Sequence, residues 1–262
     1  MNKCTVFFIA CCLLTAGRAA AQDVRIHSHN DYDRDVPFFQ AYLQQAASIE
    51  ADIFATGRED ELLVAHNAAD LPSAPSLDEA YLRPLVDLFR RNGGRAWKNS
   101  DRQLILLVDL KTPFDPALKL LVDKLQRHPD VFDPGVNPHA VRVVISGDRP
   151  PAEAFERYPA FIFFDGAHTD YSSEQLERIG MISFSLGSFT RWDGAGRLSP
   201  DDYRALCKAI DAAHALGKPI RFWGTPDSPV AWSLLHQLGT DFINTDRPEA
   251  CTRFFRELKH EK

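Results

Sequence analysis

The chain has 262 residues, of which 45% are hydrophobic, and its 30 basic and 36 acidic residues give a formal net charge of −6. One domain is the simplest count, since domains typically run from about 50 to 250 residues. The acidic balance favours neither nucleic acid nor an anionic membrane surface as a partner.

The first residues have the pattern of a targeting segment. Met1–Lys3 supplies a positive start, Cys4–Gly17 is almost wholly apolar, and Ala19–Ala21 provides small residues for cleavage. We expect a signal peptide over residues 1–21 and export to the periplasm or the medium. A lipoprotein anchored through Cys11 or Cys12 is a weaker alternative, because the apolar stretch ahead of either is short. After residue 21 no apolar run approaches the roughly 18–20 residues of a membrane span, so we expect no transmembrane segment in the mature chain.

Short β-branched or aromatic runs then alternate with helical patterns, which is typical of a parallel sheet. The runs predict eight strands: Val24–His29, Ser48–Phe54, Leu104–Lys111, Val141–Ser146, Phe161–Asp165, Met181–Ser185, Pro219–Trp223 and Asp241–Asp246. A short extra strand, Glu61–Ala65, is predicted ahead of His66.

Helices are predicted between several of these strands, at Pro37–Ala47, Leu77–Asn92, Asp115–His128 and Pro200–Leu216. Some begin with proline or end before glycine, the usual asymmetry of helix termini. Eight strands in a chain close to roughly 250 residues predict a single (β/α)8 TIM barrel over residues 22–262.

Carboxylates stand near the ends of two predicted strands. Glu50 and Asp52 share one face because alternate strand residues point to the same side, and Asp109 lies near the end of the next barrel strand. If this face is the barrel interior, the three groups converge, and each pair would repel by roughly 4 kcal/mol at about 4 Å. A divalent cation relieves that repulsion. All-oxygen ligands favour Mg²⁺, Ca²⁺ or Mn²⁺ over Zn²⁺, and we expect one ion, Mg²⁺ or Ca²⁺.

Other polar residues at strand ends suit phosphoryl chemistry. His29 and His66 flank the predicted metal site, where one imidazole would take a proton and the other donate one. Lys111 would supply a positive charge to a phosphate oxygen, and Arg221 the same from across the barrel. Trp223, two residues after Arg221, could form part of an apolar wall for the substrate's leaving group.

A glycine-rich loop, Leu186–Ser199, carries Phe189 and Trp192 and could complete that wall. Aromatic residues of the barrel core would give the same pattern, so both interpretations stay open. The remaining histidines, His27 among them, are interpreted as structural donors, except for His168, whose role is left undecided.

Several motifs resemble known families. Ser28-His29-Asn30-Asp31-Tyr32 resembles the motif that opens the barrel of phosphoinositide-specific phospholipases C. Ile49-Glu50-Ala51-Asp52, Leu63-Val64-Ala65-His66 and Ile243-Asn244-Thr245-Asp246-Arg247-Pro248 resemble stretches of glycerophosphodiester phosphodiesterases. Their combination most resembles the bacterial relatives of the altered-inheritance-of-mitochondria proteins, which belong to the same phospholipase-C-like superfamily.

The resemblance implies a metal-dependent phosphodiesterase acting on a glycerophosphodiester, a phosphoinositide or a related small-molecule or lipid substrate. It implies that His29 and His66 form the catalytic pair, and that Lys111 contacts phosphate. The implied metal ligands are Glu50, Asp52, Asp109 and Asn30. Asp109-Leu110-Lys111 resembles the spider-venom phospholipase D branch instead, which leaves the substrate open.

Two rival functions stay open at this point. His27-Ser28-His29 could begin a metal site of the polymerase-and-histidinol-phosphatase type, although that site needs an Asp-x-His near the C-terminus, and Asn244-Thr245-Asp246 does not match. The second is a non-catalytic secreted binding protein. Cys207 and Cys251 are either two buried thiols or a disulfide between neighbouring outer helices. The oligomeric state is not predicted.

Overall fold

The computed structural model describes residues 24–58 and 60–260, so the predicted signal segment lies outside the described residues. Nine strands form one sheet: β1 (Arg25–Ser28), β2 (Ser48–Ala55), β3 (Leu62–Val64), β4 (Ile105–Leu110), β5 (Arg142–Gly147), β6 (Ile162–Gly166), β7 (Ile179–Ser185), β8 (Ile220–Trp223) and β9 (Phe242–Thr245). Eight of them are parallel and follow the order β1-β2-β4-β5-β6-β7-β8-β9 around the sheet. Because β1 pairs with both β2 and β9, the sheet closes into a barrel.

The predicted TIM barrel is therefore confirmed, with all eight predicted strands present. The extra strand β3 also forms, pairing antiparallel with the end of β2 and leading directly to His66. Its position places this histidine at the carboxyl-terminal rim, where active sites of this fold are built.

Helices cover the outside of the barrel: α1 (Phe39–Leu43), α2 (Arg83–Arg91), α3 (Phe114–Leu125), α4 (Pro129–Phe132), α5 (Ser173–Glu177), α6 (Pro200–Ala215), α7 (Pro229–Leu238) and α8 (Pro248–His260). The first is much shorter than predicted, because the chain turns at Gln45, whose φ is 56°. The predicted helix Leu77–Asn92 divides into a π-helical turn, Asp78–Leu82, and α2. None of the helices among the described residues has the length and apolar character needed to cross a membrane.

The barrel interior is apolar towards its amino-terminal end and polar towards the rim. Leu107, Val144, Met181 and Phe242 pack together in its lower part. Asp109 lies two residues after Leu107 on the same strand. The strand register places Asp109 beside Asp52 on β2 and beside Ser146 on β5. This alternation places a layer of polar side chains at the open end of the barrel.

The two cysteines among the described residues are free thiols. Cys207 lies on α6 and Cys251 on α8, but α7 packs against both of these helices, so they are not the neighbours that the disulfide hypothesis assumed. Cys251 is fully buried, and that burial raises the pKa of its thiol. The structure thus favours the alternative of separate thiols.

Candidate active site

Three carboxylates meet at the rim of the barrel. Glu50 and Asp52 come from β2 and Asp109 from β4, and one oxygen of each lies within 4.8 Å of the others. Glu50 is 5% exposed and Asp52 fully buried. The structure therefore brings together the three acids that strand alternation grouped, and this cluster is called the acidic triad below.

The two oxygens of Asp52 differ in their surroundings. Oδ2 accepts hydrogen bonds from Lys111 Nζ at 2.8 Å and from the Tyr32 hydroxyl at 2.8 Å. Oδ1 is buried and has no hydrogen-bond partner in the described part of the chain. Burial and the nearby charge of Glu50 raise the pKa of Asp52 to about 6. One oxygen is thus saturated, and the other is available to a cation.

Asp109 is held by Ser146 on β5 and by Lys111, the residue that follows β4. Ser146 Oγ donates to Asp109 Oδ2 at 2.7 Å, and Lys111 Nζ lies 2.9 Å from Oδ1. Gly147 follows with a φ of 71°, and a Cβ there would lie 2.4 Å from the carbonyl oxygen of Leu110 and 2.6 Å from Asp109 Oδ1. Only glycine therefore fits beside this carboxylate without a shift of the strand.

Glu50 rests on a buried pair, His27 and Arg221. His27 Nε2 lies 2.7 Å from Glu50 Oε2, and Arg221 Nη1 lies 3.2 Å from the same oxygen. Complete burial and the charge of Arg221 lower the pKa of His27 to about 3, so this imidazole is neutral. Burial opposes ionisation of Glu50, but the contact with His27 and the charge of Arg221 outweigh it and hold the pKa of Glu50 below its usual value.

Arg221 is buried among polar partners inside the barrel. It is 4% exposed, and its guanidinium contacts Glu50, Asp165 at 3.3 Å, Ser183 at 3.0 Å and Asn244 at 3.2 Å. The alternation of strand residues correctly turns Arg221 into the barrel, but the side chain lies beneath the acidic triad rather than at its open side. These contacts indicate a structural role for Arg221, and its predicted contact with phosphate stays a prediction.

The two predicted catalytic histidines stand on opposite sides of Asn30 and Tyr32. His29 Nδ1 lies 2.7 Å from Asp246 Oδ1, and this histidine also donates its backbone N–H to Thr245. Burial disfavours the imidazolium of His29, but the hydrogen bond to Asp246 outweighs it and raises the pKa. Because a carboxylate only accepts, His29 Nδ1 carries a proton and Nε2 remains for another partner.

His66 lies at the other side, with a half-exposed side chain. Its Nδ1 is 3.1 Å from Asp52 Oδ2 and 2.8 Å from the hydroxyl oxygen of Tyr32. Asn30 contacts Tyr32 at 2.6 Å and Asp246 at 3.3 Å, and therefore links the two histidine environments. In these contacts Asn30 approaches the acidic triad only through Tyr32.

Trp223 ends β8 and is 46% exposed at the rim, in the place predicted for a substrate wall. Phe189, from the loop after β7, packs against Phe184 and Phe222 and belongs to the barrel packing. His168 stacks on Tyr171 and pairs with Asp170, neither of which belongs to the acidic triad.

Tyr32 and Asp246 are two residues of the site that the sequence patterns do not predict. Asp246 follows β9, so its place at a strand end was a usable signal. Tyr32 lies in a loop, where no periodicity predicts the direction of a side chain.

The protein is thus a (β/α)8 TIM barrel with an acidic cluster at its rim. The model of the AIM6-like phosphodiesterase domain matches residues 17–150, just over half of the chain. The chain belongs to this family and is a phosphodiesterase, which confirms the resemblance seen in its motifs.

Among curated relatives, altered inheritance of mitochondria protein 6 of Eremothecium gossypii is 29% identical over 280 residues, covering 88% of this chain and 69% of that protein. Its homolog in Arthroderma benhamiae is 26% identical over 269 residues, covering 88% and 84%. A glycerophosphodiester phosphodiesterase structure from Parabacteroides distasonis superposes with a TM-score of 0.60 at 14% identity, covering 92% of this chain and all of that one. One from Agrobacterium tumefaciens gives 0.56 at 15% identity, covering 89% and 99%. These two structures share the fold.

Proposed function

We propose that the protein hydrolyses a phosphodiester with the help of one divalent cation held by the acidic triad. The observation that carries the proposal is the buried Oδ1 of Asp52, which has no hydrogen-bond partner among residues 24–58 and 60–260 and lies beside Glu50 and Asp109. A buried carboxylate oxygen without a partner is costly, and a cation would satisfy it. The donors are all oxygens, which suits Mg²⁺ or Ca²⁺ better than Zn²⁺. When bound, such an ion polarises a phosphate oxygen and stabilises negative charge there.

His29 and His66 would move the protons of the reaction. One imidazole takes a proton from the attacking water or substrate hydroxyl through Nε2, and the other gives a proton to the leaving alkoxide as its P–O bond breaks. Both Nδ1 atoms face acceptor groups of the protein, Asp246 for His29 and Asp52 with Tyr32 for His66. This leaves both Nε2 atoms for the substrate.

Lys111 and Trp223 would bind the two ends of the substrate. Lys111 Nζ lies between Asp52 and Asp109 and is 25% exposed at its side chain, so it can also contact a phosphate oxygen beside the triad. Trp223 offers an exposed indole to the leaving group. We propose a glycerophosphodiester as the first substrate to test, because both superposed structures are glycerophosphodiester phosphodiesterases. A phosphoinositide or another lipid phosphodiester should be tested beside it.

The rival metal site of the polymerase-and-histidinol-phosphatase type has less support. Within residues 24–58 and 60–260, the one cluster of metal-ligating acids, cysteines or histidines contains no histidine. His27, which would open the rival site, is fully buried under Glu50.

The test is hydrolysis of bis(p-nitrophenyl) phosphate by chelator-treated protein. Activity should disappear on chelation and return with Mg²⁺ or Ca²⁺ more fully than with Zn²⁺. Asp52→Asn should abolish it, whereas Asp60→Asn, which changes an exposed aspartate paired with Arg127, should not. Full activity after exhaustive chelation would contradict the proposed metal dependence. Phosphorus NMR of the products from glycerophosphodiesters and phosphoinositides would then identify the substrate and any cyclic phosphate.

We further propose that the protein is exported after cleavage at Ala21, as the sequence pattern predicts. Mass spectrometry of the protein recovered from the periplasm or medium should find residue 22 at the N-terminus. Recovery with Met1 still attached would refute the cleavage.

A further inference from the structure

Tyr32 occupies a junction between the two sides of the site. Its hydroxyl oxygen lies 2.6 Å from Asn30 Oδ1, 2.8 Å from Asp52 Oδ2 and 2.8 Å from His66 Nδ1. The phenol ring also stacks near the His66 ring, with 6.1 Å between centroids and 19° between planes. No other described hydroxyl contacts both a member of the acidic triad and a predicted catalytic histidine.

The loop that carries Tyr32 is built to hold it. Asn30 adopts a left-handed conformation, with φ 46° and ψ 42°, and a single 3₁₀ turn over Asp31–Asp33 follows. Asp31 is fully buried and accepts hydrogen bonds from the Phe38 backbone N–H at 2.6 Å and the Tyr81 hydroxyl at 3.0 Å. Such an anchored turn fixes the direction of the next side chain, which is Tyr32.

The single proton of the Tyr32 hydroxyl limits the possible directions of the hydrogen bonds around it. The hydroxyl of Tyr32 has one proton but faces two oxygen acceptors, Asn30 Oδ1 and Asp52 Oδ2, besides the ring nitrogen of His66. If His66 Nδ1 also had to accept, the single proton would face three acceptors, and the imidazole lone pair would face the Asp52 carboxylate at 3.1 Å. If Nδ1 carries a proton, it donates to Tyr32, and Tyr32 donates onward to an oxygen. Only the second arrangement leaves no lone pairs opposed between Asp52 and His66.

We infer that Tyr32 is a positioning residue that holds His66 in its Nδ1–H tautomer and so directs the lone pair of Nε2 towards the substrate. Free imidazole side chains favour the opposite tautomer, with the proton on Nε2, which would leave His66 unable to accept a proton at that atom. The hydroxyl of Tyr32, at 2.8 Å, is a nearer acceptor for the Nδ1 proton than Asp52 Oδ2, at 3.1 Å, and we assign the reversal of this preference to it. The inference rests on the proposed function in one respect: it takes His66 to act through Nε2.

The test is the tautomer of His66, read from long-range ¹H–¹⁵N correlation spectra of the full protein with Mg²⁺ present and no substrate. The His66 signals are assigned by their loss in His66→Gln. In the wild-type protein at a pH where His66 is neutral, we expect Nδ1 to be protonated and Nε2 to be bare. Tyr32→Phe removes only the hydroxyl and should shift His66 towards the Nε2–H form. Wild-type His66 in the Nε2–H form, or an Nδ1–H tautomer unchanged in Tyr32→Phe, would overturn the inference.

Steady-state kinetics of Tyr32→Phe provide a second test. Loss of an aligned proton acceptor should lower kcat of Tyr32→Phe by about 10- to 100-fold with little change in KM, since misplacement of a reacting group acts on the chemical step. The matched control is Tyr42→Phe, which removes a buried hydroxyl that donates to Ala96, outside the site; both tautomer and kcat should stay at wild-type values. An unchanged kcat in Tyr32→Phe would count against the inference. Because the NMR measurement needs no turnover, failure of the wild-type protein to hydrolyse phosphodiesters would refute the proposed function alone.

Discussion

Replacement of Arg221 by methionine separates the two roles that this residue can have. The guanidinium pairs with Glu50 at 3.2 Å and Asp165 at 3.3 Å, and all three side chains are at most 6% exposed. Methionine has a similar length but no charge, so both carboxylates would remain buried without their cation. Removing one partner of a buried ion pair costs about 3–5 kcal/mol. At about 2–4 °C per kcal/mol for a domain of this size, the melting temperature should fall by about 6–20 °C.

The assay is urea or thermal unfolding with phosphodiesterase kinetics on the same samples. Arg90→Met is the matched control, because Arg90 forms an exposed pair with Asp130, and such pairs are worth about 0–1 kcal/mol. Adding Asp165→Asn to Arg221→Met should recover part of the lost stability by removing one uncompensated charge. Unchanged stability of Arg221→Met, accompanied by a higher KM, would refute the structural role and restore the direct phosphate contact predicted from the sequence.

Three further predictions concern the rim of the barrel. His29→Ala and His66→Ala should each lower turnover by about 10²- to 10⁴-fold, the usual worth of a general acid or base, in steady-state assays; wild-type turnover in either would remove that residue from the mechanism. Asp246→Asn removes the partner that raises the pKa of His29, so an NMR titration should find this pKa lower than in the wild type, and an unchanged pKa would contradict the pairing. Gly147→Ala should cost at least about 1–3 kcal/mol from its backbone conformation alone and weaken metal binding, because a Cβ there collides with β4. Gly196→Ala, with φ 63° and nothing within 4 Å, should have the backbone cost without the loss of metal binding.

The fold could be predicted well because strand periodicity is local. Apolar runs of β-branched residues, bounded by turns, located all eight barrel strands, and alternation placed Glu50, Asp52 and Asp109 on one face. The helices were harder to delimit. Leu77–Asn92 reads as one continuous pattern, yet a π-helical turn occupies its first part.

Contacts between residues distant in sequence could not be predicted in the same way. His29 and Asp246 are 217 positions apart, and their pairing depends on closure of the barrel through β1 and β9. Strand alternation correctly predicted that Arg221 faces the barrel interior. It did not predict how deep along the barrel axis the side chain lies, and this depth decides between an ion pair under the acidic triad and a contact with phosphate. The direction of the Tyr32 side chain depends on the dihedral angles of the loop after β1, which sequence periodicity does not predict.

Binding of one divalent cation by Glu50, Asp52 and Asp109 can be measured by calorimetric titration of Mg²⁺ or Ca²⁺ into chelator-treated protein. We predict one ion per chain at pH 8, with the binding lost in Asp52→Asn and Asp109→Asn. Because burial and Glu50 raise the pKa of Asp52 to about 6, protons compete with the ion below that pH, and the apparent affinity should fall as the pH is lowered from 8 to 5. Absence of binding in the wild-type protein, or undiminished binding in Asp52→Asn, would rule out a metal site at these three carboxylates.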